Sequence, residues 1–166
     1  MQRLSHTDRL TGLKDHNFFF DQLAREVERC RRYGSSLAVL MMDIDNFKIL
    51  NDRRGHLEGD RVLREFAMVV LGSCRQSDIP SRYGGDEFAV LLPGANRESA
   101  EAAAERLRRQ AEAHVFAKEP MPKDKDLNVS IGIATYPENG DTPETIVRAA
   151  DDALYAAKGG RDRVSR

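Results

Sequence analysis

The sequence predicts an α+β fold, a central and largely antiparallel sheet covered by helices, and three observations support it. Leu37 to Met42 is an unbroken apolar run of strand length, the pattern of a strand buried on both faces. Two short extended segments, Ser81 to Tyr83 and Glu87 to Leu92, flank Gly84-Gly85 and read as a β-hairpin. Around them lie stretches whose apolar residues recur every three or four positions, as on helices packed against a sheet.

Taken in order, Phe20, Leu23, Val27 and Cys30 predict a first helix that stops at Tyr33-Gly34. The apolar strand follows and runs into Asp43-Ile44-Asp45. A short amphipathic stretch from Phe47 to Asp52 leads to a turn at Arg54-Gly55-His56. Val62, Phe66, Val69 and Val70 mark a second long helix that finishes near Arg75. Beyond the hairpin, Ala100, Ala103, Ala104, Leu107 and Ala111 line a third. Lys118 to Asp126, with Pro120 and Pro122, reads as a solvated loop, and Asn128 to Tyr136 as a strand. Thr142-Pro143-Glu144 is an N-cap with proline at the first helical position. Ile146, Ala150, Ala153, Leu154 and Ala157 give the last helix its buried face. The order is α-β-α-α-β-β-α-β-α, and pattern alone leaves the topology open.

The 166 residues suit one domain, residues 1–166, with a core that needs no disulfide or structural metal. Twenty-six Lys and Arg against 27 Asp and Glu leave a net charge of −1. That balance gives no global attraction to nucleic acid or anionic lipid, so a phosphate ligand needs a local cluster of cations. Cys30 and Cys74 lack metal-ligand spacing and read as core packing in a reducing compartment. No apolar run reaches the roughly 20 residues that span a bilayer, and no signal-peptide core precedes the first helix. The expectation is a cytoplasmic domain without membrane contact of its own. It is expected to be a piece of a longer multidomain protein, whether wholly cytoplasmic or membrane-anchored elsewhere.

Two acidic sites carry chemistry. Asp43 follows six apolar residues, at the carboxyl end of a buried strand; alone, it reads more readily as a carboxylate facing water. Asp86 and Glu87 follow the glycine pair, where the missing side chains let a phosphate or another backbone approach; alone, that reads equally as a plain turn. Together, carboxylates on neighbouring strand ends suit Mg²⁺ (or Mn²⁺), a hard cation that shares its shell with substrate phosphates. Phosphoryl and nucleotidyl transfer use such a cation to neutralise developing charge. Lys48, Lys158 and Arg161 are the local candidates for the remaining phosphate charge.

The ordered blocks Asp8-Arg-Leu-Thr-Gly-Leu13, Asp43-Ile-Asp-Asn-Phe-Lys48, Asn51-Asp52, Gly55-His56, Gly59-Asp60, Arg82-Tyr-Gly-Gly-Asp-Glu-Phe88, Ser130-Ile-Gly-Ile-Ala134 and Ala150-Asp151 through Ala153-Leu-Tyr155 resemble a GGDEF domain over almost the whole chain. The resemblance implies a ferredoxin-like core similar to the palm of nucleotidyl cyclases and polymerases. It implies a diguanylate cyclase that condenses two GTP into cyclic di-GMP and pyrophosphate across a homodimer. Asp43, Asp86 and the Ile44 carbonyl fall at the metal-binding positions, and Glu87 at the position linked to activating the 3′-hydroxyl. Asn51 and Asp60 match the guanine-binding pair. A carboxylate there accepts from guanine N1 and N2, donors that adenine lacks on that edge, and relatives that make mixed dinucleotides carry a smaller residue at that position. Arg75-Gln-Ser-Asp78 matches an inhibitory product site, where an Arg fork and an Asp acceptor suit a guanine edge or a phosphate.

The chain departs from the family in two places. Lys158-Gly-Gly-Arg161 is one residue shorter than the usual spacing, which leaves Arg163 as an alternative to Arg161. Lys14-Asp15-His16-Asn17 replaces the usual end of the opening block. The rival expectation is a domain without turnover that senses GTP or cyclic di-GMP. His56 reads as structural, His6, His16 and His114 have no partner visible in the sequence, and Asp45 is expected beside Asp43 with its role open.

Overall fold

The computed structural model describes residues 5–117, 119, 121, 126–159 and 164–165. Its elements are α1 (His16–Tyr33), β1 (Leu37–Ile44), α2 (Phe47–Arg54), α3 (His56–Ser73), β2 (Ile79–Gly84), β3 (Glu87–Pro93), α4 (Arg97–Ala113), β4 (Val129–Tyr136), α5 (Pro143–Gly159) and β5 (Val164–Ser165). The strands form one sheet in the order β2-β3-β1-β4-β5. The pairs β2–β3, β3–β1 and β1–β4 are antiparallel, and only β4–β5 is parallel. The expected α+β class and ferredoxin-like core are both present.

All eight residues of β1 are buried. Their side chains alternate between two cores, as the period of two requires. Ala38, Leu40, Met42 and Ile44 face the cluster built with α2, α3 and α4. Leu37, Val39 and Met41 face the cluster built with α1 and α5. On β3, Phe88, Val90 and Leu92 lie on the first side, Ala89 and Leu91 on the second. This parity decides which helix each polar residue at the strand ends will meet.

Local chemistry explains the helix ends. Asp15 caps α1 by accepting from Phe18 N–H at 2.8 Å, and Gly34 closes it in the left-handed region at φ 68°. Thr142 Oγ1 accepts from Thr145 N–H at 3.2 Å and opens α5. A reciprocal Asn96–Ser99 capping box opens α4.

Helix α3 ends at Ser73, near Arg75 as expected, where Asp78 Oδ2 accepts from Arg75 N–H at 2.8 Å and closes a turn. The structure differs from the sequence expectation at two points. Strand β5 was not expected, since a two-residue parallel pairing leaves no periodic signal. The histidines have partners: His16 packs on Tyr83 at 4.4 Å between ring centroids, and His114 Nε2 lies 3.1 Å from Glu65 Oε2. Most of the expected solvated loop from Lys118 to Asp126 lies outside the described residues.

Gly132 positions α5. A Cβ there would overlap the backbone of Ala150 and Leu154, so the helix rests directly on β4. Gly132 pairs with Met41 of β1. One further helical turn, about 6 Å, takes Leu154 to Lys158, and two further strand residues, about 6.5 Å, take Met41 to Asp43. Gly132→Ala is therefore expected to lift α5 and lower stability by about 1–3 kcal/mol, as read by urea unfolding.

Candidate active site

Asp43 belongs to the odd-numbered face of β1 and so turns towards α5. It is 6% exposed, and Lys158 Nζ lies 2.5 Å from its Oδ2. Its other oxygen, Oδ1, is buried and has no hydrogen-bond partner among the described residues. In the antiparallel ladders Asp43 sits opposite Glu87 on one side and Ser130 on the other. Directly opposed residues share a face, so Glu87 stands beside Asp43 on the α5 side. Burial pushes the Asp43 carboxyl above its ordinary range; the Lys158 hydrogen bond and charge oppose that push, while Asp86 and Asp45 add to it. Glu87 is raised too, first by burial and then by Asp151, Asp43 and Asp86, with Lys158 opposing. These groups form one electrostatic unit. Asp45 lies just past β1, where its Oδ1 accepts from Ser130 Oγ at 2.8 Å.

The tip of the β2–β3 hairpin carries Gly85 and half-buried Asp86 in a two-residue connection, with Gly85 at φ 21°. An arginine holds its shape. Arg82 Nε and Nη2 donate to the Gly85 carbonyl at 3.0 and 2.8 Å, and Arg82 Nη1 lies 3.2 Å from Asp8 Oδ1. Asp8 Oδ2 accepts from Thr11 N–H at 2.8 Å and from Thr11 Oγ1 at 2.6 Å. Lys14 O accepts from Arg82 N–H at 2.9 Å. The opening block is thus a clamp on the glycine turn. Sequence reasoning missed this role, because no local pattern links positions 74 residues apart.

Packing of α2 on α3 brings Asn51 against Gly59, the residue before Asp60. A Cβ on Gly59 would overlap Asn51 Oδ1, so the glycine leaves room for that side chain beside Asp60. Asn51 Oδ1 is another buried acceptor with no partner among the described residues. Lys48 stands exposed one turn earlier on α2. Arg161 and Arg163 lie outside the described residues.

Arg75 and Asp78 sit at the opposite end of the β2–β3 hairpin, roughly 20 Å from its tip at strand spacing. They line a surface cavity of about 250 Å³ with Ser99, Ala103 and Arg106. Arg106, which donates to Ser73 O at 3.1 Å, was not anticipated from sequence. Its place on the opposite helix leaves no local signal. Cys74 borders this region, and burial with a contribution from Asp78 pushes its thiol up to about 12.

Among the described residues, no three His, Cys, Asp or Glu side chains converge into a ready-made metal cage. Mg²⁺ does not need one, since it commonly takes one or two carboxylates and fills its shell with water and phosphate. The bare, buried Asp43 Oδ1 fits that role.

The family model for the diguanylate cyclase GGDEF domain matches residues 5–163. The chain belongs to the GGDEF family. This GGDEF domain is 39% identical over 162 residues to the response regulator PleD of Caulobacter vibrioides, covering 97% of this chain and 36% of PleD. It is 41% identical over 155 residues to the diguanylate cyclase TpbB of Pseudomonas aeruginosa, covering 93% and 35%. The chain therefore spans about a third of the length of these curated relatives. Among solved structures, the GGDEF domain of DgcB from Caulobacter crescentus in complex with c-di-GMP superposes with a TM-score of 0.86 at 30% identity, covering 99% of this chain and 97% of that one. A fragment of TpbB comprising only its GGDEF domain gives a TM-score of 0.85 at 39% identity, covering 97% and 93%. No helix among the described residues is long and apolar enough to cross a membrane.

The clamp makes a prediction with a defined sign. Burial raises the Asp8 carboxyl, but hydrogen bonds from Thr11 and the charge and hydrogen bond of Arg82 outweigh it, and the net shift is downward. Its stabilising contribution is then whole above the unfolded carboxylate range and lost as pH falls through the lowered folded value. Asp8→Asn is expected to cost roughly 1–3 kcal/mol at neutral pH. It should also speed amide hydrogen exchange at Gly85 and Asp86, measured beside the wild type.

Proposed function

We propose that this domain is a diguanylate cyclase, each copy binding one GTP and two copies facing each other to form cyclic di-GMP. Each 3′-hydroxyl oxygen forms a bond to the α-phosphorus of the opposite nucleotide, the bond from that phosphorus to the β-phosphate bridge breaks, and pyrophosphate leaves. The single observation that carries this reading is the buried, half-satisfied Asp43 carboxylate at the end of a central strand, with Asp86 and Glu87 next to it. Burying an ionised carboxylate is costly unless a cation or donors meet it, so the unpartnered oxygen is what a cation site requires.

Asp43, Asp86 and the Ile44 carbonyl would hold Mg²⁺ or Mn²⁺, which supplies charge neutralisation and alignment of the phosphates. Glu87 takes the proton from the 3′-hydroxyl. Asn51 and Asp60 accept from the guanine edge, and the orphaned Asn51 Oδ1 supports that pairing. Lys48, Lys158 and Arg161 meet the phosphates. Most of the rate gain comes from positioning two bound nucleotides and from fixed charge. The cavity at Arg75, Asp78 and Arg106 binds product and restrains turnover; two arginine forks beside a carboxylate suit a guanine and its phosphate. The domain works in the cytoplasm, where GTP is supplied.

Incubating the 166-residue chain with GTP and Mg²⁺, then separating products by chromatography, tests this. Cyclic di-GMP and pyrophosphate are expected, at a rate that rises more than linearly with protein concentration. Glu87→Ala is expected to lose at least about a hundredfold, the lower range for general-base catalysis. Added product should slow the wild type but not Arg75→Ala. Binding of GTP and cyclic di-GMP without any turnover at high protein concentration would leave a sensor domain instead.

A further inference from the structure

Lys158 and Asp43 make an unequal pair. The sheet fixes the carboxylate, which is 6% exposed, whereas the Lys158 side chain is 40% exposed on the last turn of α5. A lysine is a compact charge on a flexible four-carbon stem, so the ammonium is the partner able to leave. It meets Oδ2, at 2.5 Å, and Oδ1 has no hydrogen-bond partner among the described residues. Among the described residues, Asp43, Asp86 and Glu87, when ionised, carry three negative charges against one on Lys158.

We infer that Lys158 is a built-in counter-ion that a divalent cation displaces from Asp43, freeing the ammonium for the phosphates of the incoming nucleotide. The inference rests on the reading of Asp43 as a cation-binding carboxylate. An ammonium and a dication on one small carboxylate repel each other, and the ammonium has an exposed path away. Lys158 thereby serves as a positioning residue that links two binding events. Before ligands arrive it keeps the end of β1 compensated and holds back binding of the cation alone. Nucleotide phosphates offer it a new partner, so cation and nucleotide favour each other's binding through one side chain, and such coupling is reciprocal.

The test uses the 166-residue chain with Mn²⁺ alone, bound metal being read by electron paramagnetic resonance. Lys158→Met, which keeps length and removes charge, is expected to bind Mn²⁺ about tenfold more tightly, while Lys158→Arg stays near the wild type. In the wild type, acetylation of Lys158 by an N-hydroxysuccinimide ester, followed by peptide mass spectrometry, should speed up several-fold on saturation with Mn²⁺. Other lysines should not change, and GTP added with the metal should protect Lys158 again. A merely structural ion pair would leave that reactivity unmoved, and this readout needs no variant to fold. Mn²⁺ that binds, and is lost in Asp43→Asn, yet alters neither Lys158 acetylation nor the affinity of Lys158→Met would overturn the displacement and leave the cyclase reading intact. Mn²⁺ that ignores Asp43 altogether, with or without GTP, would overturn both.

Discussion

A carboxylate at the end of a strand covered on both faces cannot stay there uncompensated, and that constraint organises this domain. Strand β1 is buried along its whole length, and its odd-numbered face delivers Asp43 to the side occupied by α5. Desolvating such a charge costs several kcal/mol, so the fold must bring a cation to it. Gly132 does this indirectly: with no side chain between α5 and β4, the last turn of the helix lies close enough for Lys158 to reach Asp43. Packing in the second core and charge at the candidate active site are therefore one problem with one solution. The Asp43 oxygen that Lys158 does not meet has no hydrogen-bond partner among the described residues, and there the proposed cation would bind.

The hairpin tip has the opposite difficulty. Glycines that let a phosphate approach also let the backbone wander, and the Gly85–Asp86 connection has little packing of its own. Arg82 and Asp8 offset that freedom with bonds to the Gly85 carbonyl and to the opening turn. The turn is in turn closed by Asp8 and Thr11. The start of the chain thus holds the turn that carries Asp86, an arrangement that suits catalysis by positioning rather than by a reactive side chain. A pair of arginines, Arg75 and Arg106, lines a cavity at the far end of the same hairpin, so both proposed ligand regions lie on one hairpin.

What could be read from sequence follows the range of the physics involved. The continuous apolar run predicted a doubly buried β1, and the proline after Thr142 marked the start of α5, because burial pattern and capping are local. The ordered motif blocks identified the family and the acidic residues at the two strand ends. Contacts between distant segments left no such trace. The Asp8–Arg82 clamp, the approach of Arg106 to Arg75, the room Gly59 leaves for Asn51 and the pairing of Lys158 with Asp43 all depend on which helix lands on which face. The two-residue β5 was invisible because parallel pairing of so short a piece carries no periodicity. Arg161, chosen from a shortened motif, lies outside the described residues and remains a proposal for phosphate contact.

The central claim is that Asp43 and Asp86 jointly hold a cation that brings the nucleotide to the strand ends. Crystals grown with Mn²⁺ and a non-hydrolysable GTP analogue, with the metal located by anomalous scattering, test it most directly. The account predicts a manganese peak bonded to oxygens of both carboxylates and to the phosphates, with the Lys158 ammonium turned from Asp43 to a phosphate oxygen. A nucleotide whose metal lies away from Asp43, with the Lys158 pair still closed, would contradict it.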